Sequence, residues 1–196
     1  MEMQRLFIAI DLPDDLRTAL SVARRQLQKK LAGYPLRWAP IENMHLTLKF
    51  LGDTDPARID AIVRELNQVA SRHHAFSVSV GGLGVFPDAK RPRVLWIGIR
   101  DDERRLQQLA ADVDRALAKS GWPREKRPFS GHLTLARVKK MARNSERRAL
   151  GERLATLCGY EKLGVLPVAA FHLIRSQLQP DGAVYTDLAR IPLLRK

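Results

Sequence analysis

One cysteine, Cys158, stands among 196 residues, so no internal disulfide is available. No Cys-x-x-Cys occurs either, which excludes a disulfide-framed secreted scaffold and suits a reducing cytosol. Apolar runs are short, and none approaches the roughly 20 residues needed to cross a bilayer. Leu6-Phe-Ile-Ala-Ile10 near the amino terminus lacks the long apolar centre and small-residue cleavage site of a signal peptide. The protein is therefore expected in the cytoplasm with no membrane partner. Flexible Gly/Ser or Pro-rich spacers are missing too, which argues against beads on a linker. There is no His-Glu-x-x-His to hold zinc.

Acidic residues are also short in supply. Asp and Glu number 21 against 34 Lys and Arg, for a net charge of +13. That imbalance favours a polyanionic partner, because Lys and Arg displace counterions from phosphates. What is plentiful is apolar residues, 45% of the chain, enough for a packed core.

Within this frame one tetrapeptide appears twice. His45-Leu46-Thr47-Leu48 recurs as His132-Leu133-Thr134-Leu135, 87 positions later. Successive side chains of a strand point to opposite faces, so in each copy His and Thr share one face and the leucines the other. Lys49 has the parity of His45 and Thr47 and is expected on the same face.

The surroundings repeat as well. A strand from Arg5 to Asp11 precedes a helix capped by Asp14, with Leu16, Leu20, Ala23, Leu27 and Leu31 at spacings of three and four. An approach loop from Trp38 to Asn43 leads to a strand from His45 to Leu51. Asp55-Pro56 opens a second helix, Phe76–Val80 alternates as a strand, and Gly81 to Arg93 reads as a loop. Then come a strand Val94–Arg100, a helix Asp102–Lys119, the strand beginning at His132, a helix near Ser145–Leu157, a strand Phe171–Gln177 and a turn at Pro180-Asp-Gly182. The pattern predicts an α+β fold: two pseudo-symmetric lobes, each a mainly antiparallel sheet with outer helices, around a central cleft. Residues 1–196 are expected to form one domain built from an internal duplication, with one His-x-Thr-x motif per lobe.

Two histidines facing one substrate supply a general base and a general acid, since both protonation states exist near neutral pH. That is the equipment for in-line displacement at phosphorus. Threonine hydroxyls two residues along can donate to non-bridging phosphate oxygens. This chemistry calls for no metal and no cofactor. A strained 2′,3′-cyclic phosphate suits it, and the basic surface would hold the rest of an RNA.

Arg5-Leu-Phe-Ile-Ala-Ile10, Asn43-Met-His-Leu-Thr-Leu-Lys-Phe-Leu-Gly52, Gly81-Gly-Leu-Gly-Val-Phe-Pro87, Arg91-Pro-Arg-Val-Leu-Trp96, Phe129-Ser-Gly-His-Leu-Thr-Leu-Ala-Arg137 and Ser176-x-Leu-x-Pro-x-Gly182 with Tyr185 together resemble the 2H phosphoesterase superfamily. Within it the chain is similar to the bacterial and archaeal RNA 2′,3′-cyclic phosphodiesterases, also called the 2′-5′ RNA ligase family. The resemblance implies that His45 is the proton donor and His132 the proton acceptor that activates water, leaving a 2′-phosphate. It implies that Thr47, Thr134 and Arg137 bind the substrate phosphate, and that RNA ends can also be joined through a 2′-5′ linkage. The partner implied is an RNA with a 2′,3′-cyclic phosphate end, acted on by a monomer. Two points depart from a simple transfer. Family members commonly carry proline before the second histidine, where this chain has Gly131, expected to loosen the approach. Strict alternation also puts Arg137 on the face of Leu133 and Leu135, so it reaches the cleft only through a bulge near Ala136.

Other candidates read more plainly. His73, His74 and His172 are expected to be structural, Cys158 to be buried packing on a helix face, and Trp96 to be core. Trp38 and Tyr185 remain open as base-stacking residues, and Lys139-Lys-Met-Ala-Arg143 as the edge of an RNA groove or a solvated loop. The alternatives to an RNA cyclic phosphodiesterase are an RNA-binding module without catalysis, which would not need matched acid and base, and a phosphodiesterase for small cyclic nucleotides such as ADP-ribose 1″,2″-cyclic phosphate, which the basic charge disfavours.

Overall fold

The computed structural model describes residues 2–180 and 182–195, so Asp181 of the expected turn lies outside the described residues. The leading apolar run forms strand β1 (Gln4–Ile10), and the apolar stripe after it forms helix α1 (Asp14–Lys30), which buries Leu16, Leu20, Ala23 and Leu27. Asp14 is the first helical residue rather than the cap, placing two carboxylates at the positive end of the helix dipole. The approach loop holds a short strand, β2 (Leu36–Trp38), and a 3-10 turn at Ile41–Asn43 before β3 (Leu46–Thr54). A second 3-10 turn at Pro56–Arg58, capped by the Asp55 carboxylate, enters α2 (Ile59–Ala70).

Strand β4 (Phe76–Phe86) continues past Val80, through residues that read as a loop. Gly82 takes a left-handed φ of 85° at a register shift, while Gly81 and Gly84 serve close approach. A Cβ on Gly81 would lie 2.1 Å from the Glu161 carbonyl oxygen, and one on Gly84 2.2 Å from the Trp96 ring. Next come β5 (Val94–Arg100), α3 (Arg105–Lys119), β6 (His132–Val138) and α4 (Asn144–Ala155). Helix α3 starts later than expected because the chain first turns through a left-handed Arg104 (φ 56°), and the Asp101 carboxylate takes the Leu106 N–H at 2.6 Å. The last strands are β7 (Gly164–Val168), β8 (Ala170–Gln179) and β9 (Gly182–Pro192), of which only β8 has a counterpart in the sequence pattern.

The strands form two antiparallel sheets in the orders β3-β1-β8-β9 and β2-β6-β5-β4-β7. Each motif strand pairs with a central strand, β3 with β1 and β6 with β5. On its other side each central strand takes a strand from the opposite half of the chain: β8 lies against β1, and β4 against β5. The lobes are thus pseudo-symmetric but do not coincide with the two halves of the sequence. Pairing register carries the symmetry residue by residue. Ala9 faces Thr47 as Trp96 faces Thr134, and Ile8 faces Lys49 as Leu95 faces Ala136, each pair displaced by the same 87 positions.

Helices close the outside. α2 packs on β9 and α3 on β3 over the first sheet, while α1 packs on β7 and α4 on β4 over the second. Leu6, Ile8 and Ile10 of β1 and Leu95 and Ile97 of β5 enter one continuous core beneath them. No helix among the described residues is long and apolar enough to cross a membrane.

Candidate active site

Strand β1 is apolar on both faces, and the two faces do different jobs. Leu6, Ile8 and Ile10 join the main core, whereas Phe7 and Ala9 form a separate cluster with Ile174 and Tyr185 on the opposite side of the sheet. That opposite side is the cleft wall. Thr47 lies on it across from Ala9, and the His45 ring is 4.6 Å from Phe7 and 5.2 Å from Tyr185. In the second lobe Thr134 lies across from Trp96, and the His132 ring is 4.9 Å from Phe86 and 6.4 Å from Trp96. Leu46, Leu48, Leu133 and Leu135 are buried on the core side, as the alternation requires. Cα atoms of β3 and β6 approach within 8 Å, and a charge on His132 is felt at His45, so both motifs address one cleft.

Both imidazoles meet a backbone group two residues upstream. His132 Nδ1 sits 2.8 Å from the Ser130 carbonyl oxygen, two residues upstream, and His45 interacts with the backbone of Asn43, also two residues upstream. A ring whose Nδ1–H is committed to a carbonyl presents Nε2 to the cleft. The loop carrying His45 is pinned twice. The Arg17 guanidinium donates to the carbonyls of Ile41 at 3.0 Å and Glu42 at 3.2 Å, and the Asn43 amide donates to Ala183 O at 2.8 Å.

Burial dominates the electrostatics of His45 and lowers its pKa from 6.5 to about 4. The Asn43 backbone and Asp11 act to raise it, while Arg17 and His132 act to lower it further. The ring is therefore neutral at neutral pH. Burial also pushes the Tyr185 hydroxyl above the ordinary tyrosine range, against the pull of Arg137 and Arg5, so it remains a protonated donor.

A bulge after each threonine decides which basic side chain reaches the cleft. Register shifts between Ile8 and Ala9 opposite β3, and between Leu95 and Trp96 opposite β6, so Lys49 and Ala136 fall on the core side in equivalent places. Lys49 is only 2% exposed, and its ammonium donates to Asp114 Oδ1 at 2.6 Å and Pro123 O at 2.9 Å, which overturns its expected place on the cleft face. The same displacement at Ala136 brings Arg137 onto the face of His132 and Thr134, exposed and level with Arg37 of β2. Its counterpart in the first lobe is Phe50, which stands 59% exposed with its ring 6.0 Å from Phe7.

Trp96 is on the cleft face over Gly84 rather than in the core, because the strand's parity puts Leu95 and Ile97 inward. Trp38 is half-buried and packs against the core. At Gly131, before the second motif, the carbonyl accepts the Ile99 N–H at 3.2 Å. His73 meets Asp112 at 3.0 Å and His74 meets the Arg195 carbonyl at 3.2 Å, both structural contacts remote from the motifs. His172 bonds Asp187 at 3.0 Å, and its pairing with Ala9 puts it on the cleft face, two strands from Thr47. Cys158 is exposed, not buried, because α4 ends at Ala155 and the cysteine falls in the following turn. Sequence reasoning passed over Phe7 and Phe50. A wholly apolar β1 hides which face Phe7 takes, and the parity of Phe50 depends on a bulge with no mark in the sequence.

Comparison with known proteins agrees with this geometry. A family model described as LigT like Phosphoesterase matches residues 10–96 and again 97–185, once over each motif. The RNA 2′,3′-cyclic phosphodiesterase of Aquifex aeolicus is 33% identical over 187 residues, covering 95% of this chain and 95% of that protein. The protein of the same name from Archaeoglobus fulgidus is 35% identical over 185 residues, covering 94% and 97%. Among solved structures, E. coli LigT complexed with 3′-AMP superposes with a TM-score of 0.78 at 29% identity, covering 98% of this chain and 99% of that one. With the family matched twice along almost the whole chain and the two His-Thr pairs turned into one cleft, this protein belongs to the LigT-like phosphoesterases of the 2H phosphoesterase superfamily.

Proposed function

We propose that this protein hydrolyses the 2′,3′-cyclic phosphate at RNA ends to a 2′-phosphate by a two-histidine acid and base mechanism. The observation that carries the reading is the matched pair of imidazoles, each braced by backbone two residues upstream, each with a threonine two residues on, in one cleft. His132 Nε2 takes a proton from water as the water oxygen bonds to phosphorus. The P–O3′ bond breaks, and His45 gives its proton to the departing O3′. Thr47 and Thr134 donate to the non-bridging oxygens, and the Arg137 guanidinium offsets the charge that builds on them. Burial keeps His45 neutral until the anionic phosphate arrives, and the substrate's own charge then favours the imidazolium that the step consumes. With an RNA 5′-hydroxyl in place of water, the same groups join two ends through a 2′-5′ linkage.

The relatives named RNA 2′,3′-cyclic phosphodiesterase and the 3′-AMP complex of E. coli LigT support the choice of substrate. Both motifs come from one chain, so a monomer carries a complete site, and the duplicated lobes act as a single domain of cytoplasmic RNA processing.

The test is incubation of the protein in excess EDTA with a short RNA ending in a 2′,3′-cyclic phosphate, with identification of the terminal phosphate. A 2′-phosphate should form with wild type and fall by roughly a hundredfold or more in His45→Ala and in His132→Ala. RNA bound but never opened would turn the reading to a binding module. Opening of ADP-ribose 1″,2″-cyclic phosphate alone would turn it to small cyclic nucleotides.

A further inference from the structure

Beside the cleft lies a pocket of about 730 Å³ whose lining includes Arg91, Arg93, Arg137, Lys140 and Arg147 and no acidic residue. It sits where the turn between β4 and β5 meets the turn between β6 and α4. Five cations close together repel one another, so their convergence needs a cause in the fold or a ligand.

Arg147 supplies the fold's part. From the first turns of α4 its guanidinium donates to Pro92 O at 3.0 Å on one wall and to Lys139 O at 3.1 Å and Ala142 O at 3.3 Å on the other. The Asp88 carboxylate adds a second brace, accepting the N–H groups of Lys90 and Arg91 at 2.8 and 2.9 Å. Arg147 thus spends its donors on carbonyls and fixes the two walls. The others are left without such partners. Among the described residues no carboxylate pairs with Arg91, Arg93, Arg137 or Lys140, whereas the neighbouring Arg143 and Arg148 on α4 each have one, in Glu146 and Glu152. A rigid cradle of unpaired cations fits an anion that the chain itself does not provide.

Its position says which anion. Arg137 belongs to both places: it shares the cleft face with His132 and Thr134, and it lines the pocket. Arg137 is three positions on from Thr134, at most roughly 10 Å of strand at ~3.3 Å per residue. The pocket is thus within reach, over a few nucleotides, of a nucleic acid strand whose cyclic end lies at Thr134.

Resting on the proposed RNA-end chemistry, we infer that this pocket binds the phosphates upstream of the cyclic end, so that the protein selects an RNA strand over a lone nucleotide. Arg91, Arg93 and Lys140 are the residues that read strand length, and they touch no reacting atom.

The experiment compares a nucleoside 2′,3′-cyclic monophosphate with RNAs of two to five nucleotides ending in the same cyclic group, using wild type and an Arg91→Ala/Arg93→Ala/Lys140→Ala variant. In wild type KM should fall by about tenfold or more between the mononucleotide and the tetranucleotide, with kcat little changed. The long substrate should also show the steeper salt dependence, by ~0.7 in the log–log slope for each phosphate held. The variant should lose most of that length advantage and keep its activity on the mononucleotide. Equal KM values across the wild-type length series would overturn the inference, whether or not the variant folds. So would a variant that retains the full length advantage. Failure of wild type to open any of these substrates would instead remove the proposed reaction itself.

Discussion

Lys49 Nζ lies 2.6 Å from Asp114 Oδ1 in a site where the lysine side chain is 1% exposed and the aspartate 11%. The pair joins β3, which carries the first motif, to α3, which comes from the other half of the chain. Asp114 also accepts from Arg124 and from the Glu125 N–H. Burial opposes its ionised form, but these donors, led by Lys49, outweigh it and hold the carboxyl below its ordinary range. Lys49, two residues after the cleft-facing Thr47, is thus a fastening of the fold, not a phosphate ligand.

Removing Lys49 alone leaves a buried carboxylate with fewer partners, so Lys49→Ala should cost about 3 kcal/mol of stability. Urea unfolding would show this as a lower midpoint with an unchanged slope. The folded fraction should keep its turnover within about threefold, because Lys49 faces away from the cleft. Unchanged stability with collapsed turnover would return Lys49 to the phosphate site.

The parts legible in the sequence are those in which residue type alone carries the signal. Paired His and Thr with leucines between them fix the cleft face of both motif strands, and the helix stripes of α1, α2 and α3 follow from apolar spacing. What could not be read depends on backbone events without a residue signature. One bulge moves Lys49 inward and Phe50 outward, and its counterpart brings Arg137 to the cleft. Another, between Leu173 and Ile174 on the pairing with β9, disrupts the alternation by which that strand would have been recognised. Gly81 and Gly84 of β4 read as loop because the atoms that demand them, Glu161 O and the Trp96 ring, are distant in sequence. The basic run after the second motif is visible as charge, but its role as a pocket wall needs Arg147 to reach Pro92 across the fold.

The depressed pKa of His45 can be checked in solution. Its ring resonances, followed by NMR against pH in the free protein, should titrate near 4, since burial against Phe7 and Tyr185 disfavours the imidazolium. The sign fixes the control: Tyr185→Ala admits water to the ring, and the midpoint should move up toward the ordinary value of about 6.5. A bound phosphate anion should move it in the same upward direction. A midpoint near 6.5 in the free wild type would show that the aromatic wall does not govern the ring's protonation.

Arg137 and Phe50 occupy equivalent places after the two bulges but offer a substrate different things, so their replacement should be felt differently. Arg137 presents a guanidinium on the face of His132 and Thr134, where the proposed displacement would build negative charge. Arg137→Ala should therefore lower kcat by roughly a hundredfold, with Arg137→Lys recovering only part because one ammonium cannot make the paired contacts of a guanidinium. Phe50 presents an exposed ring beside Phe7, a surface on which a base can stack. Stacking is worth about 1–3 kcal/mol per base, so Phe50→Ala should raise KM by roughly five- to a hundredfold and leave kcat nearly unchanged. Steady-state kinetics on one cyclic-phosphate RNA separates the two, and a kcat loss at Phe50 equal to that at Arg137 would contradict the division of the cleft into a stacking wall and a charged wall.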